Sequence, residues 1–393
     1  MDNFIFKGIR MKTLTLDKPI SLLFFTLIMA GLLSVLEIVS VDIQLLGSIL
    51  IAFTLFVFIT LLIKQDIYID QIKMFTPYFL MVLLYVFNLR LWTTDSAINN
   101  IIFYITYGLF FFVVININWK RYHFKLFHFA SYVGLFILLI YTLFDLSNIN
   151  TNRIGIISFV LTFYPLIYII KYKNKKKSSL LFLFLLSGTI IFISGSRSVM
   201  IAIVFMLLTI TIWKLITANK LFFKLYFLAI SFFVAGYTII YPNLHRLLTN
   251  FDYYQYLMIK YTGKAIYSGR NVIWDTLLKA ISEKPYLGHG TGALAAHFLG
   301  TEQSAHNLYL EITLQIGIVG LALFTIFLYM IWKQFWIKKH DPTVILGASF
   351  FIALIVHQTN EVLLIKNSVP INFMIWLAFG LVISHIYNTP SED

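Results

Sequence analysis

The sequence contains no cysteine. That excludes disulfides, cysteine-ligated zinc and thiol nucleophiles, and it leaves the redox compartment open. Charge is also scarce. Asp, Glu, Lys and Arg make up 12% of the 393 residues, about half the share usual in soluble chains. Acidic residues are the rarer sign, 17 against 30 basic, for a formal charge of +13. No phosphate-cradling glycine loop of the nucleotide-binding kind is present. Internal repeats and low-complexity tracts are missing as well. The first apolar run is too long for a signal peptide and carries no small-residue cleavage pattern, so no cleavable signal is expected.

What is present is apolar: 60% of residues are hydrophobic and 18% aromatic. They fall into runs of roughly 17–25 residues, each long enough to cross ~30 Å of hydrocarbon. The pattern predicts an all-α polytopic integral membrane protein with about twelve transmembrane helices, near 19–39, 43–63, 74–92, 98–116, 126–144, 154–170, 179–194, 198–217, 221–241, 309–332, 343–358 and 369–387. The positive charge does not point to nucleic acid, because no basic stripe is interleaved with stacking aromatics. Lysines sit instead in short connections, where they orient helices. With the amino terminus inside, about 20 of the 30 basic residues fall on the inner side, including "NWKRYHFK", "KYKNKKK" and "KQFWIKK". Residues 1–18 and 388–393 are therefore expected in the cytoplasm. Spans one to nine then occupy 19–241 and spans ten to twelve 309–387, with one long extracytoplasmic segment at 242–308.

That segment is too long to be a mere link. Its tyrosines and tryptophan suit a membrane interface and argue for order. Within it, "SGRNVIWDTLLKAISEKPYLGHG" reads as a short amphipathic helix with Ser268 as N-cap. Pro285 and Gly288 end it, and Ile273, Leu277 and Ile281 form one face. Arg270 falls in its first turn, where free N–H groups and the helix dipole already favour an anion.

Four further places carry candidate chemistry on the same side. "SGSRS" (194–198) is a tight turn holding Arg197 at headgroup depth. An arginine there often just reaches for lipid phosphate, but it can also offer two parallel donors to a diphosphate. Arg153, after "NINTN", is a further anion contact. "SAHNLYLEITLQIGIVGL" (304–321) opens a membrane helix with His306 and Asn307. A lone histidine is usually structural, yet it is the side chain that accepts protons near neutrality. Asn307 could orient the imidazole or a sugar hydroxyl, and Trp274 and Tyr309 are placed to support the site. His289 in "GHG" reads first as a turn residue. Gly317 and Gly320, deeper in the helix, suit close helix packing. No metal site is expected: Glu302 and Glu311 are the only carboxylates at ligand spacing from His306, and Glu311 should point elsewhere on its helix.

These motifs resemble the O-antigen ligase and Wzy polymerase superfamily. "HN", nine residues and then "GIVG" (His306, Asn307, Gly317, Gly320) match its His-Asn/Ser and paired-glycine pattern. "SGSRSVMIAI" is similar to its Ser-Arg turn, and 268–290 to its long-loop signature. The resemblance runs from about Arg153 to Gly320. It implies a GT-C-like fold in the bacterial inner membrane, and a metal-independent, cofactor-free, inverting glycosyltransferase that uses undecaprenyl diphosphate-linked oligosaccharide as donor and acceptor. By the same implication Arg197 and Arg270 grip the diphosphate and His306 is the general base. A chain-length regulator is a candidate partner. A polymerase building O-antigen or capsule is favoured by the aromatic-rich segment. The alternatives are a ligase transferring the chain to lipid A-core and, from another class, a flippase of lipid-linked sugars. The flippase lacks support from repeats or from broken helices in corresponding halves.

Overall fold

The computed structural model describes residues 69–144, 151–172, 177–365 and 368–388, with scattered helical positions at 26, 29 and between 51 and 59. Apart from those positions, the expected spans at 19–39 and 43–63 and the stretch 1–18 lie outside the described residues. The tail beyond Asn388 does so too. The helices are α1 (Ile69–Asn88), α2 (Asp95–Asn116), α3 (Arg121–Leu143), α4 (Thr151–Lys171), α5 (Lys177–Ser194), α6 (Arg197–Thr211), α7 (Lys220–Ile240), α8 (Phe251–Thr262), α9 (Arg270–Glu283), α10 (Leu308–Gln334), α11 (Pro342–His357) and α12 (Val369–Asn388), with single turns between some of them. No β-strand occurs among the described residues. Six helices there, α2, α3, α4, α7, α10 and α12, are long and apolar enough to cross a membrane, and α5, α6 and α11 are apolar but shorter.

Polar caps start the helices where the apolar runs begin. Thr94 accepts from Ala97 N at the head of α2, Asn219 from Phe222 N at α7, and Asp341 from Thr343 N at α11, where Pro342 follows. The runs are apolar on every face, as expected of helices that meet lipid or one another rather than water. α4 and α12 are buried almost throughout. α1 packs on α10, α2 on α12, α6 on α11 and α3 on α4. Where these meet, Phe75, Phe111, Phe327 and Trp376 interlock at ring separations of 5.0–6.0 Å. Buried polar tips end on main-chain carbonyls: Tyr164 on Met374, Trp332 on Phe223 and Trp376 on Leu364. A low-dielectric interior requires such satisfaction.

Two helices depart from the expected spans. Beyond α6 the chain bends at Ile212 before a separate turn, Trp213–Ile216, whose Trp213 indole donates to Lys339 O. α10 is broken inside the "QIGIVG" stretch, because Ile316 and Gly317 leave helical geometry and Gly317 takes φ 68°. The break frees backbone groups, and residues 285–290 of the segment before α10 fill it. Ile318 and Val319 N–H donate to Pro285 and Tyr286 carbonyls, and His289 and Gly290 N–H donate to Leu314 and Gln315. A Cβ on Gly317 would overlap the Tyr286 carbonyl, and one on Gly288 the Gln315 main chain. Gly317 thus serves loop docking rather than helix-to-helix packing, and Gly320 leaves room for the Ile316 side chain. The long segment is thereby pinned onto one end of the bundle.

Candidate active site

The turn joining α5 to α6 is built for close approach. Gly195 adopts φ 58°, a region open to glycine at no steric cost. Gly155 of α4 lies so near that a Cβ would strike Ser196. Arg197 is the first residue of α6 and reaches across to the long segment. Its Nη2 donates to Ser268 Oγ at 2.7 Å and Ala265 O at 3.0 Å. Among the described residues no carboxylate stands within ion-pair distance of it. Lys264 closes the same corner, with Nζ 3.0 Å from Gly195 O. Its own burial, and then the guanidinium groups of Arg197 and Arg270, push its ammonium below the ordinary lysine range.

The expected amphipathic helix is α9, with one change at its start. Gly269, at φ 81°, is the N-cap residue, and Ser268 instead donates to Ala265 O while accepting from Arg197. α9 stops at Glu283, and the chain then turns through Pro285. Ile273, Trp274, Leu277 and Ala280 are buried against Leu310 and Leu314 of α10, so the helix packs on the bundle. Arg270 opens α9. Its Nη2 lies 3.1 Å from Asn360 O and 3.6 Å from Glu361 Oε1, and the side chain is only 14% exposed.

His306 follows from what surrounds it. Trp274 is fully buried and its Nε1 donates to Ala305 O at 2.9 Å. Asn307 caps α10 by accepting from Tyr309 and Leu310 N–H, while its Nδ2 donates to Thr238 Oγ1. Both ends of that amide are committed within the fold. Held between these anchors, His306 takes φ 46°, a left-handed conformation costing a non-glycine residue about 1–3 kcal/mol. Such strain persists only where neighbours over-determine it. The ring is 30% exposed, and its buried Nδ1 faces Glu361 Oε2 at 3.6 Å, too far for a hydrogen bond.

Glu361, like Lys264, is a residue that reading the sequence missed. It sits in the connection from α11 to α12, 12% exposed, between Arg270, His306 and the Asn152 amide at 3.4 Å. Burial would raise its carboxyl, but His306, His357 and Arg270 outweigh that and hold it below its ordinary value. A signal was available. "HQTNE" interrupts two apolar runs with polar residues on the side assigned to the other candidates.

Together these side chains line two adjoining cavities that share Asn152, Gln303 and His306. One, of about 310 Å³, presents Arg197, Lys264, Arg270 and Ser268. The other, of about 280 Å³, presents Arg153, Glu302, Ser304, Glu361 and Ser368. The first is cationic and the second mixed, and the imidazole stands between them. All of these residues come from connections, or helix ends beside them, that the lysine and arginine count placed on one side. An apolar cavity of about 230 Å³ lies beside α9 and α10, lined by Val234, Ile239, Leu278, Ile281, Tyr309 and Leu328 among others. Among the described residues no three His, Asp or Glu side chains are grouped closely enough to hold a metal ion.

Of the expected site residues, the structure brings Arg197, Arg270, Arg153 and His306 to the two cavities. Trp274 and Asn307 lie one step behind, holding His306. Tyr309 is buried, with its hydroxyl on Ile355 O at 2.8 Å. His289 is buried with Nε2 on Ala280 O at 2.7 Å and lies outside both cavities. Lys264 and Glu361 are additions.

Residues 182–325 match the family model described as O-antigen ligase. The match covers the Arg197 turn, α9, His306 and both glycines of α10, and it bears out the resemblance read from the motifs. No curated protein matches the chain.

Proposed function

We propose that this chain, a membrane protein whose residues 182–325 form an O-antigen ligase family domain, is a polymerase of lipid-linked oligosaccharide. It joins undecaprenyl diphosphate-linked repeats into a surface polysaccharide at the outer face of the inner membrane, with its long segment extracytoplasmic. One observation carries this reading: four cations and one imidazole line a single two-lobed cleft at the end of an apolar bundle. The cationic lobe suits a diphosphate, and the apolar cavity beside α9 and α10 suits the polyprenyl chain.

In the proposed reaction an acceptor hydroxyl in the mixed lobe attacks the anomeric carbon of the donor sugar. The new C–O bond forms as the bond to the diphosphate oxygen breaks on the opposite face, so the configuration inverts. The hydroxyl proton passes to His306. Nδ1 is buried against Glu361, so Nε2 is the nitrogen left to receive it. A positioned base of this kind contributes roughly 10²–10⁴-fold in rate. Negative charge grows on the departing diphosphate in the lobe lined by Arg197, Lys264 and Arg270, whose fixed positive charges stabilise it. Arg197 uses one nitrogen on the fold, which leaves its other donors for phosphate oxygens.

The exposed Tyr253, Tyr254, Tyr256, Tyr261 and Tyr286 on the long segment favour a polymerase, which must hold sugar chains as both donor and acceptor. The ligase reading is favoured by the description of the matching family model. Protein in nanodiscs, given synthetic undecaprenyl diphosphate oligosaccharide, separates the readings. A ladder of products supports the polymerase. Transfer only after addition of lipid A-core supports the ligase. No covalent product under either condition overturns both and leaves a carrier.

A further inference from the structure

The proposed reaction uses His306 and Arg270 for different tasks, yet both address one carboxylate. Glu361 Oε2 faces His306 Nδ1 at 3.6 Å, while Oε1 faces Arg270 Nη2 at 3.6 Å and Asn152 Nδ2 at 3.4 Å. The carboxylate is buried, and so is Nδ1, which has no hydrogen-bond partner among the described residues. A buried imidazole nitrogen left unbonded this close to a buried carboxylate is one small side-chain movement from a charge-assisted hydrogen bond. Such contacts are commonly long before substrate binds and tighten in the complex.

We infer that Glu361 is a positioning residue for His306 whose charge is shared with Arg270, so that a diphosphate engaging Arg270 releases the carboxylate to the imidazole. The inference rests on the glycosyl transfer proposed above. Its physical content is a tautomer and a charge. An Nδ1–H directed at Glu361 leaves the Nε2 lone pair for the acceptor hydroxyl, and the carboxylate stabilises the imidazolium once Nε2 has taken the proton. The proton stays on the imidazole, and Glu361 remains ionised throughout. Before donor binds, Arg270 offsets part of that stabilisation. When diphosphate oxygens satisfy Arg270, the offset falls and the base strengthens with the donor in place.

The ionisable groups around this pair come from every neighbouring element. Arg197 stands on α6, Lys264 and Arg270 on the long segment, Arg153 on α4 and Glu302 ahead of α10. His357, at the end of α11, is fully buried, neither of its ring nitrogens has a partner among the described residues, and it interacts electrostatically with Glu361. Among the described residues, only Glu361 stands within ion-pair distance of both His306 and Arg270.

The test is the pH dependence of transfer by Glu361→Gln and Glu361→Asp, measured per folded molecule in nanodiscs with the synthetic lipid-linked donor. Glu361→Gln should lower kcat by about 10–100-fold, part of what a well-oriented base supplies. It should move the acidic limb of the kcat profile to lower pH, and it should not raise donor KM. In wild type the acidic limb of kcat, which reports the complex, should lie above that of kcat/KM, which reports the free enzyme. Glu361→Gln should narrow that gap. Glu361→Asp keeps the charge one methylene further back and should fall between the two proteins in kcat and limb position, which covers the case in which the amide variant does not fold.

A merely structural carboxylate would reduce the yield of folded protein while leaving kcat and the limb of the surviving molecules unchanged. That result, in either variant, overturns the inference. An equal gap in wild type and Glu361→Gln overturns the sharing with Arg270. A wild-type rate in His306→Ala would instead remove the reaction on which the inference rests, so the two failures are distinct.

Discussion

Replacing Gly317 by alanine tests whether the break in α10 is what holds the long segment over the cleft. The native backbone there, φ 68° and ψ −172°, is almost closed to residues with a Cβ and costs them about 1–3 kcal/mol. The added methyl would also overlap the Tyr286 carbonyl and the Leu287 amide. Residues 285–290 must then withdraw, and four main-chain bonds of 2.8–3.3 Å go with them: Ile318 to Pro285, Val319 to Tyr286, His289 to Leu314 and Gly290 to Gln315. At about 0.5–1.5 kcal/mol each, the sum with the backbone strain is roughly 3–9 kcal/mol. That rivals the whole stability of many domains. The expected outcome is a Tm lower by roughly 5–10 °C in detergent, faster proteolysis near Lys284, and transfer reduced at least roughly tenfold because α9 carries Arg270. Gly320→Ala is the control, since its methyl meets only the Ile316 side chain, which can shift. A Gly317→Ala protein with wild-type Tm and protease resistance would mean that other contacts hold the long segment in place.

Further outcomes follow from particular contacts. Arg197→Lys retains charge but loses the planar fork and the reach to Ser268 and Ala265; donor kcat/KM should fall roughly 10–100-fold, with unchanged kinetics counting against diphosphate binding there. Trp274→Phe removes the indole bond to Ala305 O and leaves a buried carbonyl unpaired, at about 1–3 kcal/mol; kcat should drop more than donor KM changes, because the residue beside Ala305 is His306. At the opposite end of the bundle, burial would raise Asp341, but its bonds to His385 and Thr343 hold it lowered from 3.8 to about 2. Its folded value being the lower one, its contribution is present above 3.8 and lost as pH falls toward about 2. Asp341→Asn should therefore lower Tm at neutral pH and converge with wild type in acid, and parallel curves would exclude the linkage.

Much of this architecture could be read in advance because apolar length and lysine placement are local signals. Ten of the described helices, α1 to α7 and α10 to α12, fall close to expected apolar runs, while α8 in the long segment was not anticipated, and the connections assigned to one side meet at one end. Arg197, Arg270 and His306 share a cleft, as three separate motifs suggested. What stayed hidden depends on partners distant in sequence. Trp274, Tyr309 and His289 look like ligand-facing polar groups, but their tips are satisfied by the carbonyls of Ala305, Ile355 and Ala280. Gly317 and Gly320 have packing-motif spacing, and only the backbone dihedrals show that one breaks the helix to receive a loop. Ser268 had the composition of an N-cap but spends its hydroxyl on Arg197. Glu361 was overlooked because it lies 55 positions beyond His306, in a connection read only as a link.

The most direct measurement is single-turnover transfer of oligosaccharide from undecaprenyl diphosphate to an acceptor hydroxyl by purified wild type and His306→Ala, at saturating donor and equal folded concentration. A rate falling roughly 10²–10⁴-fold, with donor binding retained, is predicted for the base. Equal rates in the two proteins, or no transfer by wild type from any lipid diphosphate donor, would contradict the account.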